Sequence, residues 1–322
     1  MLRVPFRSRV RWIRIYRQLP GDLRLRSRVA IPVCYCNTYR RLFDTHFRLA
    51  KDNRAFAMDL GLTNATAVVV GGGRGMGLAS ARCLADDGAR IAIIARSRAD
   101  LDRATEDLTQ RGSPDALGLV ADIRDADQVN DAFAEVDDRW SGELNVLINA
   151  VGPGAVGGFE DLTDVQWREA FDDGLMGMVR CVRSALPLLR KAAWARIVNF
   201  SAHSTQRQSV MLPAYTAAKA ALTSVSKNLS LLLAKDEILV NVVSPGSIAS
   251  ESLVGWAKSV GIDGDDPYQL MDAIAKHFGH PAHMPRAGLP DEMGPVVAFL
   301  ASRRNSYMTG ANINVDGGSD FT

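Results

Sequence analysis

The run ATAVVV (65–70) passes directly into GGGRGMG (71–77) and then into a helical pattern that ends at Gly88. A β-branched strand feeding a glycine-rich turn and a helix start restricts a chain severely. The turn must be tight, and the free N–H groups at the helix N-terminus need an acceptor. A dinucleotide pyrophosphate meets both demands, because glycine lets the backbone approach it and the helix end carries partial positive charge. The alternation of short apolar runs with longer amphipathic stretches then continues. RIAIIA (90–95), ALGLVA (116–121), NVLIN (145–149), RIVNF (196–200), ILVNVV (238–243) and NINV (312–315) are the further strand candidates, with helical patterns such as WREAFDDGLMGMVRCVRSALPLLRK between them. Nearly continuous apolar runs are what parallel strands covered on both faces require.

The pattern predicts an α/β fold: a Rossmann-type doubly wound parallel sheet in a single domain spanning residues 60–322. Before it lies a different kind of chain. Thirteen arginines and one lysine against three aspartates give residues 1–54 a charge of +11, so the rest carries −9 of the total of +2. Residues 1–59 read as an Arg-rich N-terminal extension, expected to be poorly ordered, from an upstream start with the functional chain beginning near Met58. An organellar presequence or a basic arm for membrane or nucleic acid is the alternative. For the domain itself no nucleic-acid partner is expected, and no run of ~20 apolar residues predicts a membrane span. Four cysteines, Cys34, Cys36, Cys83 and Cys181, show neither zinc spacing nor a disulfide framework. That suits a reducing cytoplasm, and no metal site is expected.

Gly71, Gly75 and Gly77 give G-x-x-x-G-x-G, a spacing that resembles the cofactor loop of the short-chain dehydrogenase/reductase family, with Val70 where that family usually has threonine. Asp122 and Ile123 resemble its adenine-contacting pair. NAVG (149–152) resembles its N-N-A-G segment, with Asn149 retained and Ala150 replacing the second asparagine. SPGSIAS (244–250) resembles its P-G-x-x-x-T loop, with Pro245, Gly246, Ile248 and Ser250 toward the nicotinamide, and NINVDGG (312–318) looks like its final strand. The resemblance runs from about Leu60 to Thr322 and extends to 3-oxoacyl-[acyl-carrier-protein] reductases. It implies cofactor contacts from Gly71, Arg74, Gly75, Met76, Gly77, Arg96, Asp122, Ile123, Asn149, Tyr215 and Lys219 as well as the P-G loop. Where NAD-preferring relatives carry an acid at the end of the second strand, this chain has Ala95. Arg96 and Arg74 could pair with a 2′-phosphate, which favours NADP(H) over NAD(H).

Tyr215 and Lys219 form Y-x-x-x-K, which sets both side chains on one helical face roughly 5–6 Å apart at Cβ. A phenol with a pKa of about 10 is a poor base at neutral pH, and a neighbouring ammonium is expected to favour the phenolate. The resemblance makes Tyr215 the proton donor or acceptor and Lys219 the residue holding the nicotinamide ribose. A third group, a hydroxyl on the substrate oxygen, commonly lies thirteen residues before the tyrosine, and that position is Ala202. Ser201 is the favoured substitute, with Ser204, or no serine, as alternatives; His203 could donate a hydrogen bond to substrate or be structural. Seven residues after Trp167 the family has an asparagine that orders a proton-relay water, and here stands Gly174.

Residues 249–284 occupy the place of the family's variable lid. Leu253, Val254, Trp256, Tyr268, Leu270, Met271 and Phe278 there suit an apolar or acyl-type ketone, or else pack the lid onto the domain. The helices carrying Gly174–Arg190 and Tyr215–Leu233 suit a homodimer or homotetramer. The leading expectation is an NADP(H)-dependent oxidoreductase acting on a ketone or secondary alcohol. Ala202 and Gly174 keep alive a catalytically weak NADP(H)-binding sensor or scaffold.

Overall fold

The computed structural model describes residues 59–319. The Arg-rich segment up to Met58 and residues 320–322 lie outside them, and with them the expectation about order in the extension. Seven parallel strands form one sheet in the order β3-β2-β1-β4-β5-β6-β7. They are β1 (Thr66–Val70), β2 (Arg90–Ala95), β3 (Ala116–Val120), β4 (Val146–Asn149), β5 (Ala195–Phe200), β6 (Ile238–Pro245) and β7 (Asn312–Val315). Each coincides with a predicted run to within two residues, and the doubly wound Rossmann-type sheet is the fold observed.

Helices α1 (Gly75–Asp86), α2 (Arg98–Arg111), α3 (Ala126–Trp140), α4 (Asp164–Phe171), α5 (Gly177–Lys191), α6 (Pro213–Leu233), α7 (Glu251–Ser259), α8 (Pro267–Phe278) and α9 (Pro290–Ala301) complete the described domain. The two-residue period of the strands divides its core. Val68, Val70, Ile94, Leu147 and Ile197 meet Phe133, Val136 and Trp140 of α3, Val182 and Leu189 of α5 and Leu222 of α6. On the other face Ala67, Val69, Ile91, Ile93, Ile148 and Val198 meet Leu84 of α1, Leu101 and Leu108 of α2 and Met293 and Val297 of α9. Every residue of β1, β4 and β5 is buried, which is why those strands read as unbroken apolar runs.

Chain order reverses at β1, whose neighbours are β2 on one side and β4 on the other. At such a switch point the connections leave in opposite directions and open a crevice beyond the carboxyl ends of the strands. The loops after β1, β4, β5 and β6 all emerge at that edge. A third, smaller apolar cluster joins α7 and α8 around Ala257, Leu270, Met271 and Ile274.

Candidate active site

Gly71, Gly75 and Gly77 of the loop after β1 are each there for a distinct reason. Gly71 has φ +79°, and a Cβ on it would lie 2.9 Å from Ala150 O and from Val151 Cγ2. Gly77 lets α1 pack on the turn, since a Cβ there would sit 2.2 Å from Gly71 O. Gly75 has φ +56°, yet a Cβ there would meet no atom within 4 Å. Its freedom is therefore conformational, and its open side faces outward at the start of α1. That helix begins without a side-chain cap and without an acid in its first turn. Uncapped N–H groups beside an unobstructed glycine leave this helix end an open cradle that an anion can approach. Met76, at the first turn of α1, is partly buried against the second core cluster.

At the neighbouring strand ends, Arg96 is exposed directly after Ala95. Arg74 is 58% exposed in its side chain and lies 3.4 Å from Glu251, a solvated pair of little energetic weight. Asp122 follows β3, and its carboxylate accepts from Arg124 Nη2 at 2.7 Å and Nε at 3.1 Å. Arg124 foremost holds that carboxyl below its usual range, and Arg96 adds to the effect. Arg124 was not anticipated from the sequence; the signal was a base two residues after an acid at a strand end. Ile123, 8% exposed, fills the space that a Cβ on Gly177 would need. Asn149 donates to Asn199 Oδ1 at 2.8 Å, and Asn199 donates to Ser226 Oγ at 2.9 Å, which ties the ends of β4 and β5 to α6. Beyond β6, Gly246 donates to Val315 O at 3.0 Å and packs where a Cβ would lie 2.5 Å from Asp316 Cα. Ile248 is buried and bridges to Gly288, while Ser250 precedes the first residue of α7.

The first turns of α6 bring Tyr215 and Lys219 to the same edge. Lys219 is 2% exposed, and its ammonium donates to Val151 O at 2.9 Å and Phe200 O at 2.5 Å, the main chain beyond β4 and at the end of β5. Burial pushes this amine down to about 7. Burial alone pushes the Tyr215 phenol up to about 12. The lowering expected from the neighbouring ammonium is thus reversed in direction: Lys219 is held by two carbonyls, and desolvation governs the phenol.

Ser201 is 3% exposed, and its hydroxyl is 2.7 Å from Thr223 Oγ1 and 3.2 Å from Lys219 O, which bonds the end of β5 to α6. Ala202 is buried and brings no polar atom. His203 is 6% exposed, with Nδ1 3.1 Å from Pro245 O and its ring edge-to-face with His280 at 4.9 Å. Ser204 follows in the same 3₁₀ turn (His203–Thr205), 2% exposed.

Gly174 falls in a π-helical turn, Asp172–Met176, between α4 and α5. A Cβ there would be 2.9 Å from Ala218 Cβ and 3.1 Å from Pro153 Cδ. Close packing against the residue beside Lys219 and a local change of helical pitch together account for the glycine, and such turns recur at functional sites. In the lid, Leu270 and Met271 are buried in the α7–α8 cluster, and Leu253, Val254, Trp256 and Phe278 pack against it. Those side chains hold the lid together, which removes the argument from them to an apolar substrate; Tyr268 is 39% exposed.

A family model described as enoyl-(acyl carrier protein) reductase matches residues 70–320. The chain belongs to the short-chain dehydrogenase/reductase family. It is 32% identical over 257 residues to oxidoreductase asL5 of Sarocladium schorii, covering 80% of this chain and 96% of that protein. It is 30% identical over 252 residues to the short-chain reductase protein NovJ of Streptomyces niveus, covering 78% and 92%. The crystal structure of L-sorbose reductase from Gluconobacter frateurii, complexed with NADPH and L-sorbose, superposes with a TM-score of 0.76 at 28% identity over 82% of this chain and all of that one. This short-chain dehydrogenase/reductase is accordingly an oxidoreductase that transfers hydride at CH–OH or C=O groups. Among its described residues no helix is long and apolar enough to cross a membrane.

Proposed function

We propose that the protein is an NADP(H)-dependent carbonyl reductase or secondary-alcohol dehydrogenase in which Tyr215 transfers the proton. The observation that carries this reading is the convergence of Tyr215, the buried Lys219 and the open glycine cradle at one sheet edge. NADPH, when bound, supplies the hydride. Gly71, Arg74, Gly75, Met76 and Gly77 hold its pyrophosphate, Asp122 and Ile123 its adenine, and Pro245, Gly246, Ile248 and Ser250 its nicotinamide side, with Asn149 fixing the floor. Lys219, fastened to Val151 O and Phe200 O, would hold the nicotinamide ribose. A phenol held near 12 is fully protonated at neutral pH, which suits a donor to a carbonyl oxygen. In the oxidative direction it must lose that proton, and a positive charge next to it would lower its pKa.

The preference for NADP(H) over NAD(H) rests on Ala95, which offers no negative charge at the end of β2, and on the exposed guanidiniums of Arg96 and Arg74. The G. frateurii enzyme is complexed with NADPH, in keeping with it. Leu231 and Leu232, 72% and 54% exposed on α6, suit burial in a homodimer or homotetramer. A cytoplasmic setting agrees with the free thiols of Cys83 and Cys181. The second reading, a catalytically weak cofactor-binding sensor, is favoured by one observation, the apolar Ala202 at the position expected to carry a hydroxyl.

A carbonyl panel of L-sorbose, 2,3-butanedione and 9,10-phenanthrenequinone with NADPH and NADH, followed by nicotinamide absorbance, tests the choice. Turnover by the wild-type protein, lost by at least about 10²-fold in Tyr215→Phe with unchanged NADPH affinity, is the expected result. Undiminished turnover in that variant removes the assignment of Tyr215. NADPH binding with no turnover of any carbonyl favours the sensor.

A further inference from the structure

Arg74 and Glu251 are 177 residues apart in the chain, yet Arg74 Nη1 lies 3.4 Å from Glu251 Oε2. Arg74 is the N-cap residue of α1, beside the glycine cradle, with an extended backbone. Glu251 is the first residue of α7, the helix that opens the lid after the P-G loop of β6. In the sheet, β4 and β5 stand between β1 and β6. Three strand spacings of roughly 4.8 Å separate the ends of those two strands by about 14 Å. A contact between the segment after β1 and the segment after β6 therefore spans the carboxyl ends of β4 and β5. That is the crevice in which a dinucleotide lies in a doubly wound sheet.

Among the described residues, each of the two charges is the other's only ion-pair partner. The carboxylate is also favoured by its own helix, because an acid in the first turn of α7 meets the partial positive charge of that end. Arg74 stands at a helix end of the opposite character, with free N–H groups and no acid in the first turn. A phosphate arriving at that end meets a guanidinium already turned to an anion. To face the phosphate with its donor fork, Arg74 must leave the carboxylate. The side chains are 58% and 65% exposed, so the pair is weak enough to be displaced.

We propose that Glu251 sets the protein's affinity for its cofactor: its carboxylate occupies Arg74 across the crevice and yields it when a cofactor phosphate enters. The proposal rests on the reading of Arg74 as a phosphate ligand. A dinucleotide then binds against two costs, the broken ion pair and the approach of its phosphate to a carboxylate held at the start of α7. Removing that one negative charge should strengthen binding, although Glu251 itself touches no part of the reaction.

The test measures NADPH binding by fluorescence titration and stopped flow in wild type, Glu251→Gln, Arg74→Ala and the double variant. Both side chains lie at the surface, so all three variants should keep the wild-type Tm within about 2 °C. Glu251→Gln should lower the Kd for NADPH about two- to fivefold at low ionic strength, chiefly through faster association. At about 1 M salt, where the Debye length is roughly 3 Å, most of that gain should disappear. In the Arg74→Ala background the same substitution should gain markedly less, because the guanidinium under competition is gone. Weaker NADPH binding in Arg74→Ala with no gain in Glu251→Gln overturns this proposal and leaves Arg74 standing as a phosphate ligand. An equal gain in both backgrounds also overturns it, because the carboxylate then acts by repulsion alone. Unchanged NADPH affinity in Arg74→Ala refutes the reading of Arg74 and takes this proposal with it.

Discussion

Gly75 and Gly77 stand two residues apart, yet alanine at each should fail in a different way. At Gly77 the new Cβ would lie 2.2 Å from Gly71 O and 2.9 Å from Gly71 C. Both are backbone atoms of the turn, so no side chain can rotate to make room. The cost is overpacking of at least about 1–3 kcal/mol, paid in the fold itself. At Gly75 the new Cβ meets nothing within 4 Å, and the cost is that of an L-residue at φ +56°, about 1–2 kcal/mol. Each kcal/mol moves the Tm of a domain this size by roughly 2–4 °C. Gly75→Ala should therefore fold with a Tm lowered by about 2–8 °C, and Gly77→Ala should lose more or fail to accumulate.

The methyl group of Gly75→Ala would project into the space that a pyrophosphate must approach. At a hundred times Kd, NADPH stabilises the native state by about 2.7 kcal/mol, roughly 5–11 °C here. A hundredfold loss of affinity at the same concentration leaves about 0.4 kcal/mol, a shift near 1 °C. Differential scanning fluorimetry with and without NADPH reads both quantities. A Gly75→Ala protein that keeps the wild-type NADPH shift would refute the cradle, because its methyl would then occupy space no ligand uses.

Three further outcomes follow from particular contacts. Arg96→Ala should raise the Kd for NADPH by at least about tenfold, as loss of a charge-assisted hydrogen bond implies, while NADH changes less than about threefold; equal losses by fluorescence titration would sink the 2′-phosphate role. Lys219 is held down to about 7 from an ordinary 10.5, so between those values the unfolded chain binds a proton that the native amine lacks. The cofactor-free protein should gain stability as pH rises through that window, by up to about 1.4 kcal/mol per unit. Above the phenol's ordinary 10, Tyr215 keeps its proton up to about 12 while the unfolded chain releases one, and stability should fall again. Urea midpoints from pH 6 to 11 should show the rise in wild type and a flatter profile in Lys219→Met, and identical profiles would contradict the burial argument. Gly174→Asn should cost about 1–3 kcal/mol, because its Cβ must displace Ala218 or Pro153; an unchanged Tm would show that the π turn has room.

What could be read in the sequence follows from where the physics is local. The strands were legible because both faces of the sheet are covered, so Val68 and Val69 are buried on opposite sides and the run shows no polar break. The glycine loop was legible because the positive φ at Gly71 and Gly75 and the packing of Gly77 on Gly71 O are demands made within the turn itself. Three features were not. The direction of the Tyr215 shift depends on desolvation by chain distant in sequence. The lid's apolar residues could equally have faced a substrate or one another, and only the α7–α8 cluster decides between these. The serine was hardest, since counting back from Tyr215 fixes a position but no direction. Ser201 donates its N–H to Val243 O and so still follows the pairing of β5 with β6, while its hydroxyl turns toward Thr223. Two residues later the backbone has left the sheet for a 3₁₀ turn, where the alternation of a strand no longer orients side chains. A hydroxyl's role in such a loop is set by which neighbours are already bonded, and that inventory exists only in three dimensions.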